Sequence, residues 1–186
     1  GAAARRGAEV LRVTGPVDLA GPQGVRVVRV VTAEEMARAV LAEADGQDLF
    51  IAAAAVSDYR PKAPSARKLK KGEGEESLTL ARTPDILATL GERLSGKASA
   101  PVLVGFAAET EDVVQNARDK LKRKRCDLVV ANAVGRSGAG FGSDRNRVTM
   151  VGRTELAEIE GSKDAVADAI LDWVIPILDA RRPRAR

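Results

Sequence analysis

Three stretches of the chain are apolar with almost no interruption: Leu49 to Val56, Val102 to Ala107, and the run that Asp127 opens and Ala131 ends. A strand with one wet face alternates hydrophobic and polar residues, so unbroken runs of this length predict central strands buried on both faces. Between them the apolar positions recur at helical spacing. Thr32 is placed to cap a helix from Ala33 to Ala44, with Glu34 and Glu35 in its first turn. Pro84 opens a second helix from Asp85 to Leu94, and Thr110 caps a third through Val113, Val114, Ala117 and Leu121 to Lys124. Shorter strands are predicted over Glu9 to Thr14, Val25 to Val31 and Leu78 to Ala81, with an antiparallel pair at Arg147 to Val151 and Glu155 to Glu160 near an edge. A last amphipathic helix follows Ser162, with Val166, Ile170, Trp173, Val174 and Ile177 on its apolar side. This alternation predicts an α/β fold: a Rossmann-like, doubly wound, mainly parallel sheet with an antiparallel edge. Gly1 to Val10 reads as the final turns of a helix, a glycine stop and the next strand, so the strand and loop that would precede that helix are expected to be missing.

With 186 residues, 45% of them hydrophobic, the chain supports one core: a single domain over residues 1–180, followed by a basic flexible tail at 181–186. There is no histidine, so imidazole is neither base nor metal ligand, and acid–base work falls to Asp, Glu, Lys or substrate groups. The lone cysteine, Cys126, stands at the entry to an apolar run and reads as a small core residue. A single cysteine forms no internal disulfide framework and suits a reducing compartment. The longest apolar run is far shorter than a membrane span, so the expectation is a soluble, cytoplasmic protein. A net charge of +4 invites a nucleic-acid reading, but 26 acidic residues are interspersed with 30 basic ones and only 3% of residues are aromatic, which opposes it.

Ligands of open α/β sheets bind beyond the carboxyl ends of the strands, which nominates the residues after each buried run. Ala52 to Ala55 offer backbone without bulk. Asp58 is either a turn residue capping its own backbone or a ligand for a ribose hydroxyl, a base amino group or magnesium. Lys68, Lys70 and Lys71 lie in a loop rich in Pro, Ser and Gly, and are either a solvated charge run or a mobile flap that neutralises a triphosphate. Lys120 and Lys124, four residues apart on one helix face, either clamp phosphates or complement the helix dipole. The glycine-dense stretch Asn132 to Asn146 is longer than ordinary connections, yet it carries neither Gly-x-Gly-x-x-Gly between strand and helix nor a Walker A loop.

In order along the chain stand Ala53-Ala54-Ala55-Val56-Ser57-Asp58-Tyr59-Arg60, Lys68-Leu69-Lys70-Lys71, Pro84-Asp85-Ile86-Leu87, Gly105-Phe106-Ala107-Ala108-Glu109-Thr110, Ala131-Asn132-Ala133-Val134 and Gly140-Phe141-Gly142-Ser143-Asp144. Together they resemble phosphopantothenoylcysteine synthetase, the phosphopantothenate–cysteine ligase of coenzyme A biosynthesis, in its bacterial CTP-dependent type. The resemblance implies a ligase that activates the carboxylate of 4'-phosphopantothenate with CTP to an acyl-cytidylate and couples it to cysteine, releasing CMP and pyrophosphate. It implies Mg2+ as cofactor and no flavin within this chain. It places Ala52, Ala53, Ala54, Asp58, Lys68, Pro84, Asp85, Ile86, Leu87, Phe106, Lys120 and Lys124 in the nucleotide site, Lys68 in catalysis, Asp58 at the metal and Asn132 at the substrate.

The family's N-terminal Gly-Pro-Thr turn and Asn-bearing loop have no counterpart here, which implies impaired turnover. The resemblance also implies a homodimer formed through this domain, a larger assembly where the domain is fused to a flavin-dependent decarboxylase, and neither nucleic acid nor membrane as partner. The alternative is a Rossmann-type NAD(P)-dependent reductase, which fold alone does not separate.

Overall fold

The computed structural model describes residues 1–17, 21–65, 67–68, 75–97, 100–133 and 145–181. A central sheet of five strands carries the fold: β3 (Leu49–Ala52), β6 (Val102–Glu109), β7 (Leu128–Ala133), β8 (Arg145–Gly152) and β9 (Leu156–Ser162), paired side by side in that order. The β3–β6 and β6–β7 pairs are parallel, while β8 and β9 continue the sheet antiparallel, as the apolar pattern predicts. Two further parallel strands, β1 (Val10–Thr14) and β2 (Val25–Arg29), pair with each other, and β4 (Tyr59–Pro61) with β5 (Leu80–Arg82) forms a short antiparallel ribbon.

Helices cover both faces. The β6 and β7 side chains alternate between two cores, which is why their sequences read as continuous apolar runs. Val102, Val104, Leu128 and Val130 pack with Val166, Ile170 and Val174 of α5 (Lys163–Arg181) and with Ala2 of α1 (Ala2–Arg5). Ala107, Val129 and Ala131 pack with Ala117 and Leu121 of α4 (Val113–Lys124) and with Leu87 of α3 (Ile86–Leu94). α2 (Ala33–Glu43) completes that second layer, with Val40 against Leu90 and Leu94 of α3 and against Leu103. Arg5 and Arg6 tie α1 to Asp164, Asp168 and Asp172, a stripe spaced four residues apart on α5.

Several boundaries differ from the sequence expectation. The strand predicted over Leu49 to Val56 stops at Ala52, and Ala53 to Ala55 are exposed; β3 is a sheet edge whose Ile51 is 38% exposed, so it is not buried on both faces. Its apolar composition reflects two partial cores, since Phe50 packs into both clusters of the α2–α3–α4 layer. Asp85 is the N-cap of α3 and not its first helical residue, its Oδ1 accepting from Ala88 N at 3.0 Å. Thr110 does not cap α4. Asp112 occupies the N-cap position, in the left-handed conformation at φ 48° and without a side-chain capping bond, because β6 continues to Glu109 and the chain must turn sharply within three residues. The strand expected from Leu78 begins at Leu80.

Candidate active site

β3 and β6 run side by side with Ala52 opposite Gly105, and β6 and β7 with Ala108 opposite Asn132. Their carboxyl ends therefore face one edge of the molecule. Beyond Ala52 the backbone of Ala53 to Ala55 is open to solvent, as a flat ligand would require. The next turn is fixed from outside: Thr83 donates through its amide to the Asp58 carbonyl at 3.0 Å and through its hydroxyl to the Ser57 carbonyl at 2.5 Å. These two bonds join the Ser57–Asp58 turn to the corner Thr83–Pro84–Asp85. The link binds two groups of nominated residues that lie 26 positions apart in sequence.

The carboxylate of Asp58 is exposed and has no hydrogen-bond or ion-pair partner among the described residues, so it is not spent capping its own turn. An exposed carboxylate of this kind would suit magnesium if phosphates lay beside it, since that ion takes one or two carboxylates together with phosphate oxygens and water. Among the described residues no group of three or more Asp, Glu, Cys or His side chains is placed to hold a metal ion.

Lys120 projects from α4 and donates from Nζ to the Phe106 carbonyl at 2.6 Å, leaving two further donors at the strand end. The Phe106 ring packs on the opposite face, against the α1–α5 core, so the ring and the ammonium straddle β6. Lys124 is engaged elsewhere, its ammonium being paired with Asp85. Leu87 is buried, and a Cβ built on Gly105 would run into its Cδ2, so its side chain belongs to the core. Ile86 is half-buried against the α2–α3 cluster.

The Asn132 Oδ1 is buried at the end of β7 without a hydrogen-bond partner among the described residues. Lys68 is exposed. Lys70, Lys71 and the stretch Val134 to Asp144 lie outside the described residues.

Cys126 is buried just before the start of β7, and burial, reinforced by Asp127, pushes its thiol up to about 11 while Lys120 and Lys124 pull the other way. It is an inert core residue. Sequence reasoning missed Thr83, the residue that ties the two loops, because a threonine before proline carries no signal beyond a strand end. The cap role of Asp85 was legible in its residue type but was assigned to the helix body. At the opposite end of the sheet, Asp127 accepts from Leu103 N at 2.9 Å and pairs with Arg181 at 2.5 Å, beside a cavity of about 320 Å³ walled by Trp173 and Ile177. That buried carboxylate holds strand starts together and is remote from the candidate site.

The strand order and the two helix layers define an α/β domain of Rossmann-like class. Within that class the chain belongs to the family described as DNA/pantothenate metabolism flavoprotein C-terminal domain, whose profile matches residues 1–177. It is 44% identical over 174 residues to the coenzyme A biosynthesis bifunctional protein CoaBC of Vibrio parahaemolyticus, covering 92% of this chain and 43% of that protein. To the CoaBC of Bacillus subtilis it is 47% identical over 150 residues, covering 80% of this chain and 36% of the relative. It thus spans less than half the length of either curated relative. The crystal structure of the C-terminal domain of a CoaBC superposes with a TM-score of 0.77 at 36% identity, covering 96% of this chain and 79% of that one.

Proposed function

We propose that this chain is the phosphopantothenate–cysteine ligase unit of a coenzyme A biosynthesis protein, acting in the cytoplasm with CTP and Mg2+. The observation that carries the reading is the convergence at one sheet edge of an open small-residue backbone, a free carboxylate at Asp58 and the ammonium of Lys120, in a chain of the CoaBC C-terminal kind.

Each of these groups has a place in the proposed chemistry. The exposed backbone of Ala53 and Ala54, after Ala52, receives the base and ribose together with the Pro84–Leu87 backbone, with Phe106 bounding the edge from the other face of β6. Asp58 holds a ribose hydroxyl or the magnesium ion, which supplies charge neutralisation to the phosphates when bound. Lys120 and Lys68 offset negative charge on the triphosphate while the carboxylate of 4'-phosphopantothenate attacks the α-phosphorus and pyrophosphate leaves. The amine of cysteine then attacks the acyl carbon and releases CMP. The buried acceptor of Asn132 would take a donor from the pantothenate side of the complex. With no histidine in the chain, proton transfer falls to Asp, Glu, Lys or substrate groups.

Self-association is part of the proposal. The β4–β5 ribbon exposes Tyr59 at 49% and Leu80 at 51%, with Leu78 just before it at 67%, and a two-stranded ribbon with open edges gains most by pairing with a second copy. Fusion to a flavin-dependent decarboxylase would enlarge that assembly.

A pyrophosphate-release assay with each of the four common nucleoside triphosphates, with phosphopantothenate present and cysteine withheld, tests the activity. Release dependent on CTP and phosphopantothenate is the expected result; release indifferent to phosphopantothenate would refute the assignment.

A further inference from the structure

Thr83 stands between a rigid element and a bare one. On its C-terminal side α3 is anchored by Leu87 and Leu90, both buried, and the first turn of that helix is closed by Asp85, two residues beyond Thr83. Across the link, Ser57, Asp58 and Tyr59 are all exposed, so packing does little to keep their turn in one conformation. Hydrogen bonds hold it instead. From within, Ser57 Oγ donates to the Tyr59 carbonyl at 2.7 Å; from outside, half-buried Thr83 uses both of its donors, the amide on the Asp58 carbonyl at 3.0 Å and the hydroxyl on the Ser57 carbonyl at 2.5 Å. Thr83 extends the β4–β5 ladder by one step beyond the Tyr59–Arg82 pair, and the next residue, Pro84, has no amide to give. The residue before a proline is confined to extended backbone, which keeps Thr83 in line with β5.

We infer that Thr83 is a positioning residue for the nucleotide site: its hydroxyl, acting through the Ser57 carbonyl, holds the Ser57–Asp58 turn against the α3 corner and leaves the Asp58 carboxylate free for the ligand. The inference rests on the nucleotide-binding reading above. It separates the effect on binding from the effect on folding. The carbonyls that Thr83 serves belong to exposed residues, so water replaces a lost hydroxyl and the fold gives up little. The turn, once released, spends only part of its time in the arrangement that binds, and the apparent affinity falls by that fraction.

Thr83→Val removes the hydroxyl while keeping the branched shape and the amide. Isothermal titration with CTP in magnesium should show binding about five- to tenfold weaker than in the parent, with the urea midpoint nearly unchanged. Thr83→Ser, which restores the donor, should bring the affinity back to within about twofold. In pyrophosphate release by Thr83→Val the KM for CTP rises, while kcat at saturating CTP stays within about twofold. Hydrogen exchange reads the turn itself: in the free protein the amides of Tyr59 and Arg60 should exchange faster in Thr83→Val than in the parent or in Thr83→Ser, and those of α3 should not change.

Parental affinity in Thr83→Val, a Thr83→Ser as weak as Thr83→Val, or weakened binding with parental exchange at Tyr59 and Arg60 would overturn the inference. Thr83→Ala is a second variant without the hydroxyl and is read in the same way if Thr83→Val folds poorly. A parent protein that binds none of the four nucleoside triphosphates would remove the nucleotide reading itself; a parent that binds CTP, with Thr83→Val unimpaired, removes only the role of Thr83.

Discussion

Cys126 shows how burial decides the chemistry of a single residue. It is 1% exposed, and its thiol is raised from 9.0 to about 11 by desolvation first and by Asp127 second. Only the thiolate reacts, so alkylation by iodoacetamide at pH 8 should be far slower in the native protein than in urea. Equal rates would place the thiol at the surface. A group whose pKa is raised on folding contributes stability below its unfolded value and loses it as the pH climbs through the folded one. Urea midpoints should therefore fall between pH 9 and 11, by more than in Cys126→Ala. Lys68 is the opposite case, an exposed side chain with little packing to lose. Lys68→Ala should lower pyrophosphate release by about 10²-fold while the urea midpoint is unchanged. Equal release would leave it a solvated loop charge.

Among the helices and strands, caps carry much of what the sequence specifies. α2 begins with a capping box: Thr32 Oγ1 accepts from Glu35 N at 3.1 Å, and the Glu35 carboxylate accepts from Thr32 N at 3.2 Å and from Val31 N at 2.7 Å. The Val31 bond is the main reason that the Glu35 carboxyl lies below its ordinary value of 4.5. Its contribution is present above pH 4.5 and is lost as the pH falls through the depressed value, so the stability gap between the native protein and Glu35→Gln should narrow on acidification. Thr32→Ala should cost about 1 kcal/mol at pH 7 in urea unfolding. This helix was legible because its start is written in residue types at fixed offsets. The start of α4 was not, because Asp112 adopts a left-handed turn imposed by the length of β6. The end of β3 was missed for a related reason: Ala53 to Ala55 are apolar by composition but have too little side chain to reveal whether they are buried. Close helix contact is likewise invisible in sequence. Gly91→Ala would push α3 off the Lys124 backbone and should destabilise by about 1–3 kcal/mol; a neutral result would mean that the two helices part easily.

Across the sheet and its two helix layers, the α/β architecture with its parallel core followed from two facts about the chain, apolar runs without alternation and helices between them, while the sheet as a whole is mixed and not mainly parallel, since two of its four pairings are antiparallel. Those runs pack against both layers, and the antiparallel edge falls where the pair Arg147 to Val151 and Glu155 to Glu160 was expected. The candidate site was legible as a direction, the carboxyl ends of the strands, and as residue types. It was not legible as contacts, because Thr83 with Ser57 and Lys124 with Asp85 are partnerships across tens of residues that only the fold creates. The proposed activity stands or falls on whether this edge receives a cytidine nucleotide. Isothermal titration of the protein with CTP, ATP and NADH in the presence of magnesium decides that point. Saturable CTP binding is expected, tighter than ATP, and abolished or sharply weakened in Asp58→Asn; preferential binding of NADH, or CTP affinity unaffected by Asp58→Asn and Lys120→Met alike, would contradict it.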